Sequence, residues 1–172
     1  MIIADLKDIA TIKNKLISKY INNDKIYECL RNNDKKITEP EQLINTHVMP
    51  YFYNLGVEKV EKTYIFIRVY APRLNNRVIE KFALDIGIGC HKSLMEYQGM
   101  TRIDYLLPII DKLTSSYNKE VAQDFPQDNY YAIGIDKITL QSVMPFSLYD
   151  ADYDGYILSY TIDMLDDGYC DD

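Results

Sequence analysis

The sequence predicts an α+β domain whose sheet has four mainly antiparallel strands, with a helix packed on one face and the element order α(α)ββαββ. Two stretches carry most of this prediction: TYIFIRVYA at residues 63–71 and KFALDIGIGCH at residues 81–91. Each places apolar side chains at every second position, which is the period of a strand. The short, Asn-rich connection between them predicts an antiparallel hairpin.

Helical spacing of apolar residues predicts an N-terminal helical region. Residues 4–20 have the pattern of an amphipathic surface helix. A second short helix follows, and Asn23 or Asp24 is its expected N-cap.

The best-marked helix is expected over residues 101–117. Thr101 and Asp104 have the spacing of a capping box, with Asp in place of the usual Glu. Pro108 removes one backbone hydrogen bond inside this helix, so a kink or a break is expected there.

Two further strands follow a polar stretch of the chain. Residues 131–140 alternate between apolar and polar side chains, except at positions 136–137, where a bulge is expected. Residues 156–163 alternate in the same way and predict the last strand. An acidic turn precedes this strand, and Gly155 is expected to be free to take a positive φ within it.

The 172 residues predict one domain. Its expected parts are a helical N-terminal segment at 1–53, an α/β sheet core at 60–165 and an acidic tail at 166–172. A chain of this length buries a core without metal or disulfide, so no cofactor is expected. The three cysteines are widely spaced, which predicts neither a disulfide framework nor a zinc ribbon and fits a reducing cytoplasm.

The chain is acidic, with 19 basic and 26 acidic residues and a formal net charge of −7. No run of Lys or Arg forms a phosphate-binding stripe, which disfavours sequence-specific DNA binding. The N-terminus lacks the basic and apolar regions of a signal peptide, and no stretch approaches the length of a membrane-spanning helix. Neither secretion nor membrane insertion is therefore expected.

The spacing Asp150-x-Asp152-x-Asp154-Gly155 resembles the start of a calcium loop. The calcium template requires a bidentate Glu at position 12, but Thr161 occupies that position. The alternation that follows also predicts a strand where the template requires a helix. An acidic turn is the favoured interpretation, and Asp150, Asp152 and Asp154 are only a weak metal candidate.

No arrangement of residues predicts an enzyme. Cys90 and His91 are neighbours on a strand and point to opposite faces, so we expect Cys90 in the core and His91 at the strand end. His47 stands alone and predicts neither a metal site nor a triad. Gly87 and Gly89 lack the rest of a phosphate loop, and we expect them to allow close packing by the third helix or another subunit.

Arginine within a hydrophobic strand predicts an interface candidate. Arg68 shares its strand face with three aromatic side chains, and further arginines follow in the hairpin connection. Aromatic residues together with Arg are enriched at protein interfaces. The candidates are Tyr64, Phe66, Arg68, Tyr70, Arg73 and Arg77. The alternative is an ordinary sheet face covered by the N-terminal helix.

The strings TYIFIRVYAPR, FALDIGIGCHKSLM, GMTRIDYLLPIIDKL and YDGYILSYTIDM together resemble the small neck proteins of tailed bacteriophages from low-GC Gram-positive hosts. The likeness is greatest to the tail terminator, or tail-completion, group and covers about residues 1–165. It implies a structural virion protein at the top of the tail, assembled in the host cytoplasm, with no enzymatic activity.

The resemblance also implies a closed homo-oligomeric ring, six-fold by likeness, between a tail-tube protein and a head-side connector or stopper protein. DNA would pass through this ring without sequence-specific contact, because a negatively charged lumen repels it. The candidates for an acidic rim or lumen are Asp150, Asp152, Asp154, Asp166 and Asp167.

Two other functions stay open. One is a ferredoxin-like regulatory module, or one that binds a small ligand between sheet and helix with access at Gly87 and Gly89. The other is an unrecognised hydrolase that uses the Asp cluster.

Overall fold

A computed structural model of the chain describes residues 6–32, 34–52, 60–71, 81–115, 135–148 and 152–164. The α+β class is confirmed. The elements are α1 (Leu6–Ile21), α2 (Asp24–Arg31), β1 (Val48–Met49), β2 (Thr63–Tyr70), β3 (Lys81–His91), β4 (Glu96–Tyr97), β5 (Met100–Thr101), α3 (Arg102–Ser115), β6 (Ile135–Leu148) and β7 (Tyr153–Met164). Short 3-10 helices occupy Pro40–Leu43 and Lys92–Leu94.

Among the described residues, the main sheet has five strands in the order β1-β2-β3-β7-β6, so the predicted number of four is wrong. The extra strand, β1, pairs parallel with β2, and the other neighbours are antiparallel. Two residues are too few to show a period of two, so β1 could not be predicted from its pattern. A separate two-stranded hairpin joins β4 to β5.

Local hydrogen bonds confirm both predicted helix starts. The Asn23 side chain accepts from the Ile26 amide at 3.2 Å and caps α2. The Thr101 hydroxyl oxygen accepts from the Asp104 amide at 3.0 Å at the start of α3. These bonds satisfy donors that have no partner inside the helix. The third helix runs unbroken through Pro108, so no break occurs there.

The three α-helices in the described part of the chain cover one face of the sheet. Ile65 and Ile67 of β2 share a buried cluster with Ile86 of β3, with Leu16 of α1 and with Leu106 of α3. Burying each such aliphatic side chain contributes about 1.5–3 kcal/mol. The N-terminal helix therefore covers the face opposite to the interface candidates. The alternative interpretation, in which this helix covers the candidate face itself, is wrong.

A fully buried arginine ties these helices together. Arg102, 1% exposed, donates from Nε to the Leu94 carbonyl at 2.9 Å and from Nη1 to the Cys29 carbonyl. Its guanidinium carbon lies 4.7 Å from the centre of the Tyr97 ring. None of the described residues supplies a carboxylate partner for it. Internal carbonyls and an aromatic ring therefore stabilise this charge.

The last two strands are longer than predicted. Register shifts occur between Ile135 and Lys137, as expected, and also between Leu140 and Ser142. The predicted strand start at 131–134 lies outside the described residues. Strand β7 begins at Tyr153, three residues before the predicted start.

Gly155 lies within β7, where it pairs with Gly89 of β3 and Phe146 of β6. The expected positive φ at Gly155 is wrong, since Asp152 takes that conformation, with φ 55°. A Cβ at position 155 would overlap the Ile88 carbonyl oxygen and the Phe146 ring. Glycine is required here for space, because two strands and a ring approach it closely.

Candidate protein interface

The second face of the sheet lies opposite the helices. It is formed by Tyr64, Phe66, Arg68 and Tyr70 of β2, Asp85 and Gly87 of β3, and Ser159 of β7. These residues share a face because directly opposed residues of antiparallel strands point to the same side.

Aromatic side chains form a small core on this face. Tyr64 and Phe66 are buried in a cluster with Met49 and Tyr153, and Phe146 packs against it. The rings of Tyr64 and Phe66 are stacked, with their centres 5.9 Å apart. These two interface candidates therefore support the face from beneath and present little surface of their own.

Gly87 makes room for these rings. A Cβ at this position would lie 2.9 Å from Phe66 Cδ2 and 3.6 Å from Phe52 Cζ. The expectation that the third helix packs on Gly87 is wrong, because α3 joins the core on the other face. Close packing was the right interpretation, but aromatic rings fill the space.

Arg68 is the charged centre of the second face. Its Nη2 and Nε donate to Asp85 Oδ2 at 2.5 and 3.2 Å. The Ser159 hydroxyl donates to the other carboxylate oxygen, Oδ1, at 2.8 Å. The Asp85 side chain is only 7% exposed, whereas that of Arg68 is 51% exposed. A buried carboxylate therefore anchors a guanidinium that reaches the surface.

Two aromatic rings hold the Arg68 guanidinium in place. Its carbon lies 4.9 Å from the centre of the Phe52 ring and 5.0 Å from that of Tyr70. Both rings are themselves partly exposed. Such contacts strengthen when a partner excludes water from them. We call these four residues, Phe52, Arg68, Tyr70 and Asp85, the arginine clamp.

Several predicted site residues have no described position. Arg73, Arg77, Asp150, Asp166 and Asp167 lie outside the described residues.

The two described aspartates of the calcium-like motif have different partners. Asp152 pairs with Lys92, whose Nζ lies 3.6 Å from its Oδ1. Asp154 accepts a hydrogen bond from the Ser147 hydroxyl. Thr161, at the twelfth position of the template, lies in β7 opposite Ala83. This arrangement differs from a loop that wraps around one ion.

Cys90 and His91 have the predicted structural positions. The Cys90 side chain is buried in the main core, and burial raises the pKa of its thiol. His91 Nδ1 accepts from the Ser93 amide at 3.3 Å, which caps the turn after β3. The side chains of Cys90 and His91 form no hydrogen bond with each other, so they do not form a nucleophile–base pair.

Sequence reasoning missed a buried histidine beside a cavity. His47, 2% exposed, lies 2.8 Å through Nδ1 from the Thr63 carbonyl oxygen. Its Nε2 lies 3.6 Å from Asp34 Oδ2, and the Lys62 ammonium is also 3.6 Å from that oxygen. The cavity has a volume of about 410 Å³, and its walls also include Leu30 and Glu61.

The surroundings of the cavity shift the pKa values of His47 and Asp34. Burial lowers the pKa of His47, and the nearby Lys62 charge acts in the same direction, against the Thr63 carbonyl and Asp34. Burial alone would raise the pKa of Asp34, but the Lys36 amide, Lys62 and His47 outweigh it, so that pKa is lowered. The cavity therefore favours a neutral imidazole beside a charged carboxylate.

The model of the YomW family matches residues 14–162. The chain belongs to the YomW family. The name suggests a phage-derived protein.

The YomW match extends from α1 to β7 and includes the arginine clamp and the His47 cavity. Among curated proteins, none matches the sequence. No helix of the described part of this YomW chain is long and apolar enough to cross a membrane.

Proposed function

We propose that this chain is a structural virion protein of a tailed phage. It forms a ring at the head-proximal end of the tail tube, terminates tail assembly and joins the tail to the head connector. The family name supports the phage origin, and the sequence resemblance supports the place in the tail. The protein assembles in the host cytoplasm and then resides in the virion neck.

The arginine clamp is the observation that carries this proposal. Arg68 is fixed by Asp85 and by two rings, so little side-chain freedom remains to be lost on binding. Its Nη1 makes no hydrogen bond to the described residues and remains available to a carboxylate or carbonyl of a partner. A fixed Arg with partly exposed aromatic neighbours has the composition of a binding hot spot.

A ring also requires a second, different patch on each subunit. Strand β6 is the outermost strand of the described sheet on the side away from β1. It exposes three large apolar side chains, Leu140, Val143 and Met144. An edge strand with exposed apolar residues is a template for association with another chain. We propose that β6 of one subunit meets the arginine clamp of the next.

The acidic candidates fit a lumen through which DNA slides. The Asp152 side chain is 65% exposed, although Lys92 offsets part of its charge. Negative charge on such a surface repels the DNA backbone and prevents stable binding. The proposed partners are further copies of the chain, the tail-tube protein and a head-side connector or stopper protein.

Native mass spectrometry with negative-stain microscopy tests the ring. The protein is measured alone and with tail-tube subunits from the same phage, because assembly on the tube is part of the proposal. The interface variant is Arg68→Gln with Asp85→Asn, which removes the exposed cation without leaving a buried unpaired carboxylate. The matched control is Arg31→Gln, since Arg31 is a partly exposed arginine of α2 that pairs with Glu28.

We expect rings for the wild type and for the Arg31 control, and loss of rings for the double variant. A wild-type protein that stays monomeric with tail-tube subunits would exclude the ring. Rings that persist in the double variant would exclude the arginine clamp as the contact and leave the ring itself supported.

The His47 cavity favours a second candidate function, a small-ligand-binding or regulatory module. Its volume falls within the range of small-molecule sites. Gly87 does not line this cavity, and Phe66 packs over it, so ligand access at Gly87 is no longer part of this alternative. Native mass spectrometry separates the two functions, because the module requires neither a ring nor tail-tube subunits.

A further inference from the structure

Two hydrogen-bond acceptors face each other beside the cavity. The Thr63 carbonyl oxygen can only accept, so His47 Nδ1 carries the proton of the hydrogen bond between them. In the neutral imidazole, Nε2 then presents a lone pair. This lone pair lies 3.6 Å from a carboxylate oxygen of Asp34, and no hydrogen bond to the described residues satisfies it. A buried acceptor without a donor carries a cost in free energy.

The arrangement has the geometry of a metal-binding histidine. Such residues almost always donate their other ring N–H to a carbonyl or carboxylate, as His47 does to Thr63. Zinc binds histidine nitrogen and carboxylate oxygen at 2.0–2.2 Å, so two such atoms in a tetrahedral site are about 3.3–3.5 Å apart. The observed separation of His47 Nε2 and Asp34 Oδ2, 3.6 Å, requires only a small adjustment.

We propose that His47 Nε2 and the Asp34 carboxylate bind a divalent transition-metal ion, with Zn²⁺ as the best fit. The described residues contain no cluster of three His, Cys, Asp or Glu side chains suited to a metal. The proposed site therefore requires water molecules to complete the coordination shell. The metal joins the chain after α2, which carries Asp34, to the start of β1 next to His47.

Lys62 lies close enough to the proposed metal site to affect its affinity. Its ammonium lies 3.6 Å from the Asp34 oxygen that the metal requires, and it therefore competes with the ion for this carboxylate. Replacing Lys62 with Met removes this competing charge and keeps the length of the side chain. Metal affinity should then increase, which an accidental surface site elsewhere on the protein would not show.

The test is calorimetric titration of the tag-free full chain with ZnCl₂. All variants carry Cys170→Ser, which removes a thiol that could bind zinc independently. The ligand variant is Asp34→Asn, which keeps the shape of a partly exposed side chain. The control is His91→Gln, because His91 is the other histidine of the chain and lies outside the cavity. The ¹⁵N resonance of the His47 ring identifies the bound nitrogen directly.

We expect one zinc ion per chain and a shift of the His47 Nε2 resonance on binding. Asp34→Asn should lower the affinity at least about tenfold, and Lys62→Met should raise it. His91→Gln should leave it unchanged. Absence of binding at millimolar Zn²⁺, equal affinity in a folded Asp34→Asn variant, or an unshifted His47 resonance would each overturn the proposal. None of these results bears on the ring.

Discussion

Two arginines on opposite faces of the sheet both contact aromatic rings, but they differ in burial and in hydrogen-bond partners. Arg102 and Arg68 both lie over aromatic rings, at 4.7 Å from Tyr97 and at 4.9 Å from Phe52. Arg102 is fully buried and bonds to internal carbonyls, whereas half of the Arg68 side chain is exposed and its partner is the buried carboxylate of Asp85.

The difference separates a buried arginine that stabilises the fold from a half-exposed one that we propose contacts a partner. The donors of Arg102 end on the chain itself and connect α2 with the segment before α3. Arg68 donates from Nε and Nη2 to Asp85, and half of its side chain is exposed. Substitution of Arg102 should therefore act on stability, and substitution of Arg68 mainly on assembly.

The largest expected effect is that of Arg102→Ala. The change leaves the carbonyls of Leu94 and Cys29 without donors and opens a cavity beneath Tyr97. We expect a loss of about 3–5 kcal/mol in the free energy of unfolding, measured by urea denaturation.

The control for Arg102 is Arg31→Ala, a change at a partly exposed arginine of α2. Its effect should stay within about 0.5 kcal/mol. If both variants lost the same small amount, Arg102 would contribute no more than a surface residue.

The next largest effect on stability is expected at two glycines of adjacent strands, Gly155 of β7 and Gly87 of β3. An alanine Cβ at Gly155 meets the backbone oxygen of Ile88, which cannot move without disturbing the sheet. At Gly87 the Cβ would lie 2.9 Å from Phe66 Cδ2, so a side chain has to shift and the backbone does not. We expect Gly155→Ala to cost about 3 kcal/mol and Gly87→Ala about 1 kcal/mol in thermal or urea unfolding. The reverse order would contradict the assignment of close strand packing to Gly155.

A smaller effect on stability is expected at Arg68 itself. Arg68→Gln leaves the buried Asp85 carboxylate without its cation and should cost about 1–2 kcal/mol. Asp85→Asn in the same chain removes that carboxylate and should restore most of the loss. A double variant as unstable as the sum of the two single variants would show that the pair is not energetically coupled.

The smallest expected effect is the reaction of the buried cysteines on the helix-covered face with an alkylating reagent. Burial raises the pKa of Cys29 to about 11, although Arg102 acts to lower it. At pH 8 roughly one molecule in a thousand then carries the Cys29 thiolate. Iodoacetamide should leave Cys29 and Cys90 unmodified in the native protein and label both after unfolding, as seen by peptide mass spectrometry. Rapid native labelling of Cys29 would indicate that this core opens readily.

Elements with a local signal could be predicted from the sequence. Strands β2 and β3 have clear alternation, and the caps at Asn23 and Thr101 depend on residues within one helical turn. The alternation of β2 also predicted that Tyr64, Phe66, Arg68 and Tyr70 share one face, although only Arg68 and Tyr70 of these residues present much surface.

Features that depend on contacts between distant segments could not be predicted. The face that the helices cover is set by packing among all three helices, and both strand faces are apolar enough to be buried. The role of Gly155 depends on a carbonyl from β3 and a ring from β6. The role of His47 depends on Asp34 and Thr63, and an isolated histidine gives no sequence signal for such partners.

Photo-crosslinking at position 70 tests the central claim, that the arginine clamp contacts another subunit. Tyr70 is replaced by a photoreactive phenylalanine derivative, and the control places the same group at Met100 of β5, which is also exposed. With tail-tube subunits present, we predict crosslinks from position 70 to β6 of a second copy and none from position 100. Crosslinks that arise only from position 100, or none from position 70 in assembled rings, would contradict the account.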